Sequence, residues 1–320
     1  MAVLVGLLSQ CVLAHGLHRG TEFPRVNSLD DVEQRLSAYR QSGDDALLEG
    51  VAAYFRRAVG TDQRERLLRV WHAQAMHRFS EASDLLAPLL APGTADSWLL
   101  AANLNRVIGK FSESELACRE AGSSQPLLGQ VCLLQTRTHQ GRKPTAAALE
   151  KLEQLFTLLD ERSSIGYERK AWVLGVLANA HSLRGNDSKA LMLSRSAFRV
   201  GRTVQNRAAY AYRLIADSQY QKALEIIGDR HAAPALVVLR LVALRRLNQL
   251  DRQSALVDKV DKQFRHDIAH GDLLHAREMA TFYLEVKPDL ERARFLAKQN
   301  WAVQKELEDR ALLERVSATL

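Results

Sequence analysis

Much of what would point to chemistry is missing from this chain. Its 320 residues contain only three cysteines, Cys11, Cys118 and Cys132, and no C-x-x-C pair, which removes the common zinc and redox signatures. There is no G-x-G-x-x-G, no G-x-x-x-x-G-K-[ST] and no G-x-S-x-G, so neither a nucleotide cradle nor a nucleophile elbow can be assigned. Prolines number 7 and aromatic residues make up 6%, and no run of alternating apolar and polar residues marks a series of strands. The apolar stretch within residues 1–14 is too short to cross a bilayer. The formal net charge is +7, but acidic and basic residues are interspersed, as in Arg64-Glu65-Arg66 and Glu150-Lys151. Arg245-Arg246 is too short to serve as a basic arm, so nucleic acid is not the expected partner.

What the chain does have is recurrence. A six-residue punctuation appears seven times: His77–Ala82, Gly109–Ser114, Gly141–Ala146, Gly185–Ala190, Ser218–Ala223, Asn248–Gln253 and Pro288–Ala293. Each copy opens on a turn-compatible residue, mostly carries a large residue two places on, and closes on a small or polar one. The closing residues are spaced by 32, 32, 44, 33, 30 and 40 positions. Periods of about 34 residues belong to helix–turn–helix repeats. Between the copies, apolar residues recur every three or four positions, as in Leu152-Leu155-Phe156-Leu159, which is helical spacing. The expectation is an all-α chain. Small closing residues let two helices approach, and the large residue fills the wedge beside that contact. One hairpin cannot bury its apolar face alone, so stacking must build the core. The copies at Gly141 and Asn248 are degenerate: Lys143 and Pro144 stand where an aromatic and a polar residue would be regular, and Gln253 where alanine would be.

This pattern resembles the tetratricopeptide repeat over roughly Arg66 to the C-terminus. The cleanest copy runs Trp98, Ala101, Ala102, Gly109, Phe111, Ser114 and Ala121, with Pro126 beyond it. Phe79, Ala82, Leu86 and Pro92 precede it. Leu174, Leu177, Ala178, Gly185, Ala190 and Ala197, and then Ala211, Leu214, Tyr220, Ala223, Ile227 and Pro234, follow. The resemblance implies an α–α superhelical solenoid of six or seven hairpins that acts as a non-catalytic scaffold, holding a peptide or helix of a partner protein in its groove, without a cofactor. Carrying the family's spacing over, the groove-lining residues of the first helices are Leu99, Asn103, Arg106, Gln135, His139, Trp172, Asn179, Gln205, Tyr212, Val242 and Arg245. Amides suit a peptide backbone, aromatics supply contact area, and arginine selects carboxylates. Some family members clamp a C-terminal carboxylate with lysines and asparagines; Asn103 and Asn179 alone do not reproduce that set. The rival reading is a module for a non-protein ligand such as an anionic polymer, cell-wall fragment or lipid.

The remaining segments divide simply. Residues 1–14 have the size of a signal-peptide core, with Val12-Leu13-Ala14 at the cleavage position but no preceding Lys or Arg; a lipoprotein box at Cys11 is argued against by Gln10. This gives a periplasmic or secreted bacterial protein as the expectation, with the cytoplasm as the alternative. Residues 15–27 read as a linker, 28–65 as two helices forming an N-terminal cap, and 66–320 as the solenoid with its closing helices, about 291–300 and 309–316. Ser28 followed by Asp30 and Asp31 is a helix start. The 44-residue interval predicts extended helices or a larger connection around 162–166. Cys118 and Cys132 fall on helices of successive hairpins that should touch. A disulfide is sterically open to them, and two buried thiols acting as small hydrophobes is the simpler reading. His266, His270 and His275 could gather a metal, but no H-E-x-x-H is present and solvated histidines are the expectation. His15 and His18 would flank a new amino terminus if cleavage followed Ala14, a set able to take copper or nickel.

Overall fold

The computed structural model describes residues 25–57, 62–91, 93–161, 166–229 and 233–318. The signal-peptide reading, the cleavage site, Cys11, His15, His18 and most of the linker lie outside them. Among the described residues the regular structure is helical: α1 (Leu29–Ser42), α2 (Ala46–Arg57), α3 (Gln63–Ala75), α4 (Phe79–Leu86), α5 (Ala95–Ile108), α6 (Phe111–Ser124), α7 (Pro126–His139), α8 (Ala146–Glu161), α9 (Tyr167–Leu183), α10 (Asp187–Val200), α11 (Val204–Ala216), α12 (Tyr220–Ile227), α13 (Pro234–Arg246), α14 (Ser254–Ala269), α15 (Ala276–Glu285), α16 (Leu290–Val303) and α17 (Leu307–Ala318). The predicted start at Ser28 is a full capping box: the Asp31 backbone N–H donates to Ser28 Oγ at 3.1 Å, and the Ser28 N–H donates back to Asp31 Oδ2 at 3.1 Å.

The recurring punctuation is a single backbone device. Its opening residues His77, Gly109, Gly141, Gly185, Ser218 and Asn248 have φ of 53°, 87°, 82°, 81°, 58° and 56°. Each ends the first helix of a hairpin in the left-handed region, which lets the next N–H reach back to a helix carbonyl: Lys110 to Asn105 at 2.8 Å, Asn186 to His181 at 2.9 Å, Gln219 to Leu214 at 2.8 Å. Glycine takes this conformation without strain, whereas His77, Ser218 and Asn248 hold it at a conformational penalty. Pro288 cannot adopt it, and its copy turns by another route. In five copies the closing residue is the fourth of the second helix, and there Ala82, Ser114, Ala190, Ala223 and Ala293 are fully buried. Ser114 shows what the position meets: its hydroxyl donates to the carbonyl of Ala102 on α5 at 2.8 Å.

The two degenerate copies depart from this register. At Gly141, Pro144 delays the second helix, and Thr145 caps it by accepting from the Ala148 N–H at 3.2 Å. α8 therefore starts at Ala146, which is exposed, and the fourth position belongs to Leu149, buried to 2%. The small-residue contact expected at Ala146 is thus shifted by three residues and filled by leucine. At Leu250–Gln253 a 3-10 turn intervenes before α14, and Gln253 stays half-buried. Within the long interval between Ala146 and Ala190 the helices are long, α8 of 16 and α9 of 17 residues, and most of the connection expected around 162–166 lies outside the described residues.

The chain forms two compact units. The first comprises 78–202 (α4–α10) together with Lys305–Leu307. Here α5 packs on α6, α6 on α7, α7 on α9, and α9 on α10. The α6–α7 contact is close: a Cβ placed on Gly129 would come within 2.4 Å of the Gly122 Cα, so only hydrogen fits. Beside it Cys118 and Cys132 form a disulfide across a Cα–Cα distance of 5.4 Å, which corrects the simpler reading of two thiols. The second unit holds α1–α3, α11–α16 and α17 from Glu308 onward. Val32, Leu36, Leu48, Val51, Phe55 and Leu68 make the core of α1–α3. The pair read as an N-terminal cap packs on α3 and, through α1, on α11. Gly43 abuts Ala233 so closely that a Cβ there would lie 2.6 Å from the Ala233 Cβ. A further core of Leu241, Val260, Phe264, Met279, Phe282 and Leu296 joins α13–α16.

Candidate peptide-binding face

The first helices of successive hairpins in the first unit, α5, α7 and α9, present polar side chains along one row. Asn103 and Arg106 come from α5, one turn apart, and Arg106 Nη2 donates to Asn103 Oδ1 at 2.5 Å. Arg106 Nη1 lies 3.3 Å from both ring nitrogens of His139, at the end of α7. The same guanidinium nitrogen meets Glu306 Oε1 at 3.3 Å, in an ion pair whose side chains are 1% and 0% exposed. Glu306 belongs to the short connection between α16 and α17, and its backbone neighbours are also held by this face. The Lys305 N–H donates to the carbonyl of Val107 at 2.6 Å, serving one of the acceptors left open at the end of α5. The Leu307 N–H, unpaired within α17 because it is the first residue, donates to His139 Nδ1 at 3.1 Å. That bond uses the lone pair of Nδ1 as its acceptor. Gly109 completes the seat: a Cβ there would stand 3.0 Å from Lys305 Cγ.

The structure thus brings Asn103, Arg106 and His139 together around a stretch of the chain's own backbone. It joins Gln135 to Trp172 separately, through a bond from Trp172 Nε1 to Gln135 Oε1 at 3.0 Å. Leu99 is fully buried in the core and presents nothing at the face. Asn179 is half-buried on α9. Gln205, Tyr212, Val242 and Arg245 belong to the second unit; there Tyr212 is exposed, Val242 is buried, and Arg245 Nη1 donates to the Glu285 carbonyl at 2.5 Å. The segment Lys305–Leu307 was not anticipated. It lies outside the repeat pattern, and its only sequence signal is the gap between the two closing helices.

The histidine group divides. His266 and His270 are exposed and stack with ring centroids 4.1 Å apart. His275 is buried, with Nε2 3.6 Å from Asp45 Oδ2, which corrects the expectation that all three are solvated. No group of three metal-ligating side chains exists among the described residues. Among the carboxylates of the second unit, Glu278 and Asp261 are pulled in opposite directions by their surroundings. Burial pushes Glu278 up, against the opposing pull of Arg277 and His275. Burial also acts to raise Asp261, but hydrogen bonds from Lys287 at 2.7 Å, Tyr283 at 3.0 Å and Arg265 win and hold it below the usual range. Tyr283 is pushed up to about 12 by its own burial and by that bond to Asp261.

No family model and no curated protein matches the sequence. Solved structures do match. A Rap protein in complex with competence and sporulation factor aligns with TM-score 0.50 at 12% identity, covering 91% of this chain and 90% of that one. The Cut9–Hcn1 hetero-tetramer of the APC/C aligns with TM-score 0.42 at 14% identity, covering 91% of this chain; the match spans 57% of the length of that structure's chain. The helices, the hairpin turns and the first of these likenesses define the fold class as an all-α solenoid of helix–turn–helix repeats of tetratricopeptide type. No helix among the described residues is long and apolar enough to cross a membrane.

Proposed function

We propose that this chain is a non-catalytic interaction scaffold that holds an extended segment of a partner protein against the first-helix face of α5, α7 and α9. One observation carries the reading: two side chains from successive first helices, Arg106 and His139, already hold a short non-helical stretch of polypeptide and the residue after it, Arg106 through the Glu306 carboxylate and His139 through the Leu307 backbone N–H, with Asn103 bracing Arg106. That is the mixed recognition a peptide groove needs, in which backbone bonds give affinity and side-chain pairing gives selectivity. The Rap protein of similar fold was solved in complex with competence and sporulation factor, and a partner-binding use of such a fold agrees with the reading. We place the protein in an oxidising compartment, the periplasm or the cell exterior, because disulfides such as Cys118–Cys132 persist there and are rare in a reducing cytosol.

Affinity capture with the full chain, read by mass spectrometry, tests this. The comparison is with a Gln135→Ala, Asn179→Ala double variant, whose positions lie on the same row but outside the seat of residues 305–307. Proteins enriched by the wild type and lost by the variant are expected. Enrichment unaffected by the variant would discard this face, and the absence of any enriched protein would move the assignment to a non-protein ligand.

A further inference from the structure

We propose that Lys305-Glu306-Leu307 is a built-in pseudo-ligand that occupies the binding face, and that the partner is an extended acidic peptide which displaces it. This rests on the reading of that face as a peptide site. Gln304, the residue before the segment, is in extended conformation at φ −135°, ψ 142°, and Gln304 to Glu306 belong to no helix. Two backbone N–H groups two residues apart, those of Lys305 and Leu307, are satisfied by the face, at Val107 O and His139 Nδ1. The first is a backbone bond from the non-helical stretch, and the second uses an N–H left open at the start of α17. Between them the Glu306 carboxylate is drawn fully out of water onto Arg106.

The chemistry of the displacing ligand follows from that ion pair. A peptide without a carboxylate would remove the Glu306 partner of a guanidinium that is 1% exposed and put nothing in its place. A peptide with Glu or Asp at this position restores the pair. Displacement is accessible because the internal contact is short and because the attraction of a buried ion pair is largely offset by the desolvation of both ions. The segment's hold comes from its tether, which a free peptide overcomes by concentration or by reaching further along α7 and α9 to Gln135, Trp172 and Asn179. The net charge of +7 favours encounter with an acidic partner.

The test uses a fluorescent peptide spanning residues 302–310 of this chain and the same peptide with Glu306→Gln, measured by polarisation on the full-length wild type and on its Glu306→Gln variant. The variant, with its own segment loosened, should bind the acidic peptide at least tenfold more tightly than the wild type does, and prefer it at least tenfold over the Gln peptide. Adding Arg106→Gln should erase that preference. Equal affinity of the two proteins, or of the two peptides, overturns the proposal. Should the variant fail to fold, hydrogen exchange on the wild type decides: saturating acidic peptide must speed exchange of the Lys305 and Leu307 amides at least tenfold, and unchanged protection at the highest soluble concentration overturns it. A random-sequence peptide display on the wild type separates the two readings. Binders that leave those amides protected would sink the pseudo-ligand and keep the scaffold, whereas no binder of any sequence would sink the scaffold as well.

Discussion

At the scale of single residues, Asp261 and Glu278 respond to pH in opposite senses. Burial opposes ionisation of Asp261, but the hydrogen bonds from Lys287, Tyr283 and Arg265 outweigh it, so its folded-state pKa lies below the ordinary 3.8. Its contribution to stability is present above pH 3.8 and is lost as the pH falls through the lower folded value. Asp261→Asn should therefore lower the melting temperature at pH 7, with the difference closing below the ordinary carboxylate range. Glu278 is the reverse. Burial raises its pKa above 4.5, so the folded state prefers the proton and loses stability as the pH climbs past that value. Glu278→Gln should raise the melting temperature at pH 7 and leave it unchanged near pH 4. Melting curves of both variants at the two pH values check the signs, and a Glu278→Gln protein less stable at pH 7 would show that the ionised carboxylate is held by its neighbours.

At the scale of the helices, the fourth position of α4, α6, α8, α10, α12 and α16 is the buried contact on which the hairpin closes. Ala190 occupies that position in α10 with no exposed surface, and Ala190→Glu would bury a charge without a counterion, at about 3–5 kcal/mol. Circular dichroism should show a lower melting temperature. Ala146 sits in the same place of the sequence motif, yet it is the exposed first residue of α8. Ala146→Glu should change stability by no more than about 0.5 kcal/mol, whereas Leu149→Glu should be as damaging as Ala190→Glu. Damage at Ala146 equal to that at Ala190 would restore the register read from the motif alone. The motif was legible because the turn needs a left-handed residue and the contact needs a small one. The slip at Gly141 was harder to read, since it depends on where a proline lets the following helix begin.

At the scale of the whole molecule, the disulfide ties α6 to α7 inside the first unit, across a sequence separation of 14. Closing a loop of about 15 residues stabilises by about 3 kcal/mol, chiefly by restricting the unfolded chain. Reduction should lower stability by an amount of that order. Amide exchange should rise in α6 and α7 well before it rises in α13 and α15, which belong to the other unit. Uniform acceleration along the chain would mean that the two units open together. The spacing put the two cysteines on touching helices, but bonding depends on how closely those helices approach, and that is set by the facing pair Gly122 and Gly129.

By itself the sequence determined the all-helical class and the hairpin period, because these depend on local periodicity and turn chemistry; Asn103, Arg106 and His139 were singled out by the resemblance to the tetratricopeptide repeat. The tertiary structure decided what those three side chains hold. Arg106 meets Glu306 across a sequence separation of 200 residues, and no local pattern encodes such a pairing. It also decided that α1 rests on α11 and that Ala233 requires Gly43, since contacts between distant segments arise from the path of the folded chain and not from the spacing of neighbours along it.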